Sequence, residues 1–246
     1  MTRKWLIPLG ALVAAAGLAV HTVRSASGAS GGSPKVIDRD SIAYGRTYSQ
    51  WSAAWEQWVG SIPTARNPLF DNSDCSTGQS GPVWFLGGKF CPNGEACSYD
   101  HVVRSCAVPA GKALFFPILN VEDSALEERL AENPGKPEFQ QISVMRKIRD
   151  ASLANARVSC TVDGAAVLDL QERYRVQSDA FSFTLPADNY FTSFYGTRFP
   201  EGSFFPAVAD GWYLMLAPLP LGHHVLKFRG VGRAFTVDVQ YNLNVQ

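Results

Sequence analysis

Phe235-Thr236-Val237-Asp238-Val239-Gln240-Tyr241-Asn242-Leu243-Asn244-Val245 alternates apolar and polar side chains without a break. A period of two sends successive side chains to opposite faces of a strand, so this segment reads as a strand with one face in a core and one in water. Working back along the chain, His224–Phe228, Trp212–Leu216 and Val176–Leu185 read as further strands. Val158–Val162 and Ala166–Leu170 flank Asp163-Gly164, a hairpin turn signal. Upstream, Val83–Leu86, Val102–Val108 and Ala113–Leu119 are short strand candidates between Gly- and Pro-rich turns. No βαβ rhythm and no internal repeat appear. The pattern predicts a mainly β (α+β) chain, an antiparallel β-sandwich with helices packed on it or inserted between strands.

The strongest helical signal is N-terminal to these strands. Thr47 and Gln50 have the spacing of a capping box, and Trp51, Trp55, Trp58, Val59 and Ile62 fall on one face of a helix from about Tyr48 to Ile62. Packing of this Trp-rich helix on a sheet is the expectation. Two more helices are expected between 121 and 155. The first runs Val121–Glu132 with Asn120 as N-cap; the second follows Pro137, with Phe139, Ile142, Met145 and Ile148 on one stripe.

The 246 residues carry 22 Lys+Arg against 22 Asp+Glu, 46% hydrophobic and 12% aromatic residues. That content can bury a core, and it offers no basic excess for a nucleic-acid partner. Arg3 and Lys4, an apolar run from Trp5 to Val20 and the small residues Ser25–Ala29 read as a Sec-type signal peptide over residues 1–29. The expected organisation is this signal, a flexible leader over 30–43, and one β-sandwich-like domain over 44–246 with a helical insertion at 120–155. Cleavage would leave 19 basic and 22 acidic side chains. The expected location is secreted or periplasmic, with no membrane span after cleavage.

All five cysteines lie in the exported part, where oxidation is expected. Cys91 and Cys97 flank a turn-rich spacer, and Cys75 and Cys106 bracket the same region, so the preferred disulfides are Cys91–Cys97 and Cys75–Cys106. Four cysteines allow three pairings, and the fifth widens the choice. Cys160, left over in an alternating run, reads as a buried structural thiol.

Several segments carry a resemblance. Tyr44–Tyr48, Trp51–Trp58, Gly78-Gln79-Ser80-Gly81-Pro82-Val83-Trp84-Phe85-Leu86, Val108-Pro109-Ala110-Gly111-Lys112-Ala113-Leu114-Phe115-Phe116-Pro117 and the tail from Pro218 to Tyr241 resemble a group of uncharacterised secreted bacterial proteins. Gly222–Phe228 is similar to a late strand of bacterial immunoglobulin-like domains. The resemblance implies export and a compact domain, and it implies no activity.

Motifs for nucleotide, metal or serine-hydrolase chemistry are absent from the sequence. His223 and His224 are adjacent on a strand and point to opposite faces, and His101 belongs to a polar cluster with Asp100 and Arg104. No metal and no cofactor are expected. Two places remain. Glu122 and Asp123, just after Asn120, are the catalytic candidates: with Asn120 they offer oxygens to a cation, or one acts as a general base, whereas the bland alternative is acids complementing a helix start. Residues 186–206 hold seven aromatics without helical or strand period. Tyr190, Phe194, Tyr195 and Phe199 are their ligand-binding candidates, as a platform for an apolar-faced ligand. The reading is a secreted, non-catalytic binding or scaffold protein whose partner is a small molecule, a glycan or an envelope component. The alternative is a carboxylate-dependent, glycan-directed hydrolase.

Overall fold

The computed structural model describes residues 34–70, 74–89, 101–128, 137–233 and 235–246. Its strands form two five-stranded sheets. The first joins β1 (Val83–Phe85), β3 (Ala113–Ser124), β8 (Gly202–Leu216) and β6 (Arg175–Gln177) in that order, with β7 (Phe181–Leu185) also paired to β8. In the second, β2 (Val102–Val108), β10 (Thr236–Val245), β9 (Gly222–Val231), β4 (Arg157–Val162) and β5 (Ala165–Ala166) lie side by side. Pairing is antiparallel except for one parallel pair in each sheet, β1 with β3 and β2 with β10. The fold is therefore an α+β sandwich.

The alternating run is β10, with Val237, Val239, Tyr241, Leu243 and Val245 buried. Asp163 and Gly164 both adopt positive φ, the geometry of a two-residue hairpin loop joining β4 to β5. Strand β8 is the spine of the first sheet. Every residue from Pro206 to Leu216 is buried, as expected of a strand covered on both faces.

Successive residues of β3 show what covers those faces. Phe115 lies against Tyr48 and Trp51 of α1 (Tyr48–Ser61), whereas Phe116 stacks on Phe228 of β9 at 5.1 Å. The first sheet is thus sandwiched between α1 and the second sheet. The two sheets pack tightly at Gly230, where a Cβ would stand 2.5 Å from Leu119 Cβ. Helix α1 begins with the capping box, Thr47 and Gln50 bonding each other's backbone N–H. Its tryptophans anchor it: Trp51, Trp55 and Trp58 donate to the carbonyls of Ala43, Leu86 and Thr77. Helix α2 (Glu138–Ser152) covers β8 and β3 farther along, with Met145 on Val208. Helix α3 (Leu170–Arg173) is a single turn.

Four expectations need correction or refinement. Val121–Ser124 is not a helix start but the continuation of β3. It pairs residue by residue with Asp210–Ala207 of β8, and this non-local ladder overrides the local capping signal. Phe139, placed on the buried stripe of α2, is 69% exposed. The described part of the flexible leader, residues 34–43, is pinned down: Val36 bridges Leu216, Ile37 N donates to Met215 O, and Tyr48 Oη donates to Ile37 O. Residues 186–206 are not structureless, since they form α4 (Tyr190–Tyr195) and the first residues of β8. Asn189 caps α4 by accepting from Thr192 N, and Gly196 closes it in the left-handed conformation.

Cys75 and Cys106 form a disulfide that ties the segment before β1 to β2. Cys91 and Cys97 lie outside the described residues. Cys160 is a buried free thiol, pushed up to about 12 by burial. Among the described residues no helix is long and apolar enough to cross a membrane.

Candidate functional site

A cavity of about 700 Å³ opens beside the far end of β3, a size typical of small-molecule sites. Its walls come from α1, β3, the turn after β3, α2, α4 and the start of β10.

One irregularity in β3 gives the cavity its polar groups. Pro117 pairs with Tyr213 and Leu119 with Trp212, so Ile118 is an extra residue and the strand bulges there. Phe115 faces α1, and residues an odd number of positions away would normally face the other way. Because of the bulge, Asn120 also faces α1, and its Nδ2 donates to Glu56 Oε1 at 2.8 Å. Tyr213 Oη donates to the same oxygen at 3.2 Å. Burial pushes the Glu56 carboxyl up to about 8, although both of these hydrogen bonds favour the charged form.

Glu122, two residues beyond Asn120, reaches the same cavity. Its Oε1 is buried without a hydrogen-bond partner. Burial first, and then the charge of Glu127, raise this carboxyl well above the usual range, with Glu56 and Asp123 adding to the effect. Glu127 sits in the turn after β3, tied down by Ser124 Oγ at 2.8 Å, and it accepts a hydrogen bond from Tyr195 Oη. Burial and the Glu127 charge raise the Tyr195 hydroxyl above its ordinary range.

Asp123 points to the opposite face of β3, where Arg149 of α2 contacts it at 3.2 Å. It is not a cavity residue. Burial raises its carboxyl to about 7 against the pull of Arg149, and its Oδ1 has no partner. The pair of acids read together in the sequence is therefore split by the pleat, and Glu122 alone joins the cavity.

Helix α4 supplies the aromatic wall. Tyr190, Phe191, Phe194 and Tyr195 all line the cavity, and Trp55 of α1 joins them. Three of the four aromatic candidates are thus placed at the site. The fourth, Phe199, is not; it packs against Phe191 at 5.4 Å and Tyr195 at 5.1 Å, bracing the wall from outside. Asn189, 1% exposed, fixes the segment by donating to the carbonyls of Pro186 and Phe199.

Sequence reasoning missed Glu56, Glu127 and Phe191. Glu56 had one available signal: it is an acid next to Trp55 and three residues before Val59, both on the buried face of α1. The histidines lie elsewhere. His101 Nδ1 is 2.7 Å from Asp238, which Arg229 also contacts, and His224 Nδ1 is 2.7 Å from Asp163. Among the described residues no group of three or more His, Cys, Asp or Glu is placed to hold a metal ion.

No family model and no curated protein matches the chain. Among solved structures, a cysteine protease inhibitor from Entamoeba histolytica is similar over 66% of this chain and 94% of its own, at 9% identity and a TM-score of 0.20.

Proposed function

We propose that this is an exported, non-catalytic binding protein that encloses a small molecule in the cavity between α1, β3 and α4. One observation carries the reading: a cavity of about 700 Å³ is walled by aromatic rings and holds a few convergent polar groups on rigid elements. Glu56 is held by Asn120 and Tyr213, and Glu127 by Ser124 and Tyr195, so the polar groups are oriented in advance. Export rests on the signal-like residues 1–29 and agrees with the Cys75–Cys106 disulfide, since disulfides persist in oxidising compartments.

The test uses N-phenyl-1-naphthylamine, an uncharged apolar probe that fluoresces when taken out of water. Saturable fluorescence is expected with the exported chain and not with Ser152→Trp, which fills the cavity from α2. A wild-type chain that does not bind the probe, or a variant that binds it equally well, overturns the reading.

A second reading, a glycan-directed hydrolase, is favoured by one feature. Burial pushes the Glu56 carboxyl up to about 8 and raises that of Glu122 as well, the direction a general acid needs. Release of nitrophenol from aryl glycosides that disappears in both Glu56→Gln and Glu122→Gln would put this reading first.

A further inference from the structure

The cavity's acids and rings occur together, and the combination narrows the ligand class. Three carboxyls line it from three different elements: Glu56 from α1, Glu122 from β3 and Glu127 from the turn that follows. Beside them stand the rings of Tyr190, Phe191, Phe194 and Tyr195. The geometry points to an organic cation, an amine or quaternary ammonium group seated on the α4 rings beside the Glu122 and Glu127 carboxyls. This inference rests on the cavity-binding reading and names its ligand class.

The unpartnered oxygen is the independent observation. Glu122 Oε1 is enclosed and makes no hydrogen bond, and a buried polar atom left so is costly. The groups acting most strongly on Glu122 are other carboxyls, Glu127, Glu56 and Asp123, so its ionised form calls for a positive charge at that end of the cavity. A cation supplies that charge, and the electron-rich faces of tyrosine and phenylalanine rings attract it as well. An anionic ligand would meet the same carboxyls at a loss. A bare metal ion fits poorly, because no metal-binding group of acids is formed among the described residues.

Three basic residues also line the cavity. Arg149 is engaged by Asp123 and Glu128, at 3.2 and 3.7 Å. Lys89 and Arg233 enter from the segment after β1 and from the β9–β10 turn, neither of which contributes a lining carboxyl. Among the described residues, the hydroxyls of Tyr190, Tyr195 and Tyr213 also face these acids.

Binding a fixed positive charge favours the ionised carboxyls. Burial pushes the Glu56 carboxyl up to about 8 and raises that of Glu122 in the same direction, so uptake of the cation expels a proton to solvent and affinity rises with pH.

The experiment displaces N-phenyl-1-naphthylamine with choline and with its uncharged isostere 3,3-dimethylbutan-1-ol. At pH 8 choline is expected to displace the probe at about tenfold lower concentration than the alcohol, with the gap closing at pH 5. Glu122→Gln and, separately, Glu127→Gln should each shrink the gap while the probe still binds. Equal displacement by the two compounds at pH 8, or a gap unchanged in both variants, overturns the inference and leaves the cavity reading standing. Loss of probe binding by the wild-type chain removes both.

Discussion

Asn120 Nδ2 donates to Glu56 Oε1 across 64 positions of sequence, joining the middle of β3 to the middle of α1. The bond depends on the extra residue at Ile118, because a regular strand would turn Asn120 away from the helix that Phe115 touches. Bulges commonly re-aim side chains beside functional sites. Here the bulge brings a second hydrogen-bond donor, beside Tyr213, to a buried acid.

Glu56 makes stability depend on pH in a definite direction. Its folded-state value of about 8 lies above the 4.5 of an unperturbed glutamate. Between those values the folded chain binds the proton that the unfolded chain has lost, so stability is highest at the acid end and falls as pH rises towards 8. Glu56→Gln keeps the two acceptor contacts and removes the charge. It should raise stability at pH 8 by about 1–3 kcal/mol and flatten the slope of melting temperature between pH 5 and 8. Thermal melts of both proteins across that range check this; parallel curves would contradict it.

Trp51→Ala should destabilise the fold. The indole is 7% exposed, donates to Ala43 O at 2.8 Å and packs edge-on against Phe85, with the Arg46 guanidinium over its ring at 5.0 Å. Truncation should cost ~3–5 kcal/mol. In a chain of this length that corresponds to a melting temperature lower by roughly 10 °C. Calorimetry reads the change directly.

Asn189→Ala should loosen the aromatic wall without unfolding the sandwich. It removes the cap of α4 and the bonds to Pro186 O and Phe199 O, at an expected cost of about 1–2 kcal/mol. Probe affinity should fall more than the melting temperature suggests, because Tyr190, Phe191, Phe194 and Tyr195 all ride on that one short helix. Comparing probe titrations with melts at the same pH separates the two effects.

Gly230→Ala should be among the most damaging single methyl additions. The new Cβ would meet Leu119 Cβ at 2.5 Å and Ile118 O at 2.9 Å, forcing the sheets apart at that point. A loss of about 3 kcal/mol is expected. Gly60→Ala in α1 is the control: its nearest neighbour would be 3.7 Å away, and alanine favours a helix. Denaturant midpoints of the two variants should move in opposite directions.

What could be read from the chain alone follows from the range of the interactions involved. Strand β10 and helix α1 declare themselves because their periodicity is local. The capping box at Thr47 and the hairpin turn at Asp163-Gly164 are local as well. Glu122 was legible as a carboxylate ending an apolar run, and Tyr190, Phe194 and Tyr195 as an excess of rings in one segment. Their meeting in one cavity was not legible, since it depends on the bulge at Ile118 and on pairing of β3 with β8 over long sequence separation. Glu56 stayed hidden for the same reason: its neighbours Trp55 and Val59 mark only a buried helix face, and its partners lie 64 and 157 positions away.

The position of β10 also governs the order of assembly. It lies between β2 and β9, and its pairing with β2 spans residues as distant as Val102 and Val239. Sheet pairing of this range is slow, because the loop must be closed before any contact rewards it. A chain emerging from its N-terminal side can zip β4 onto β9, but β2 has no neighbour in the second sheet until the residues of β10 have been made. The second sheet therefore completes only after synthesis has passed Val245, and until then β2 waits as an unpaired edge for a strand made last.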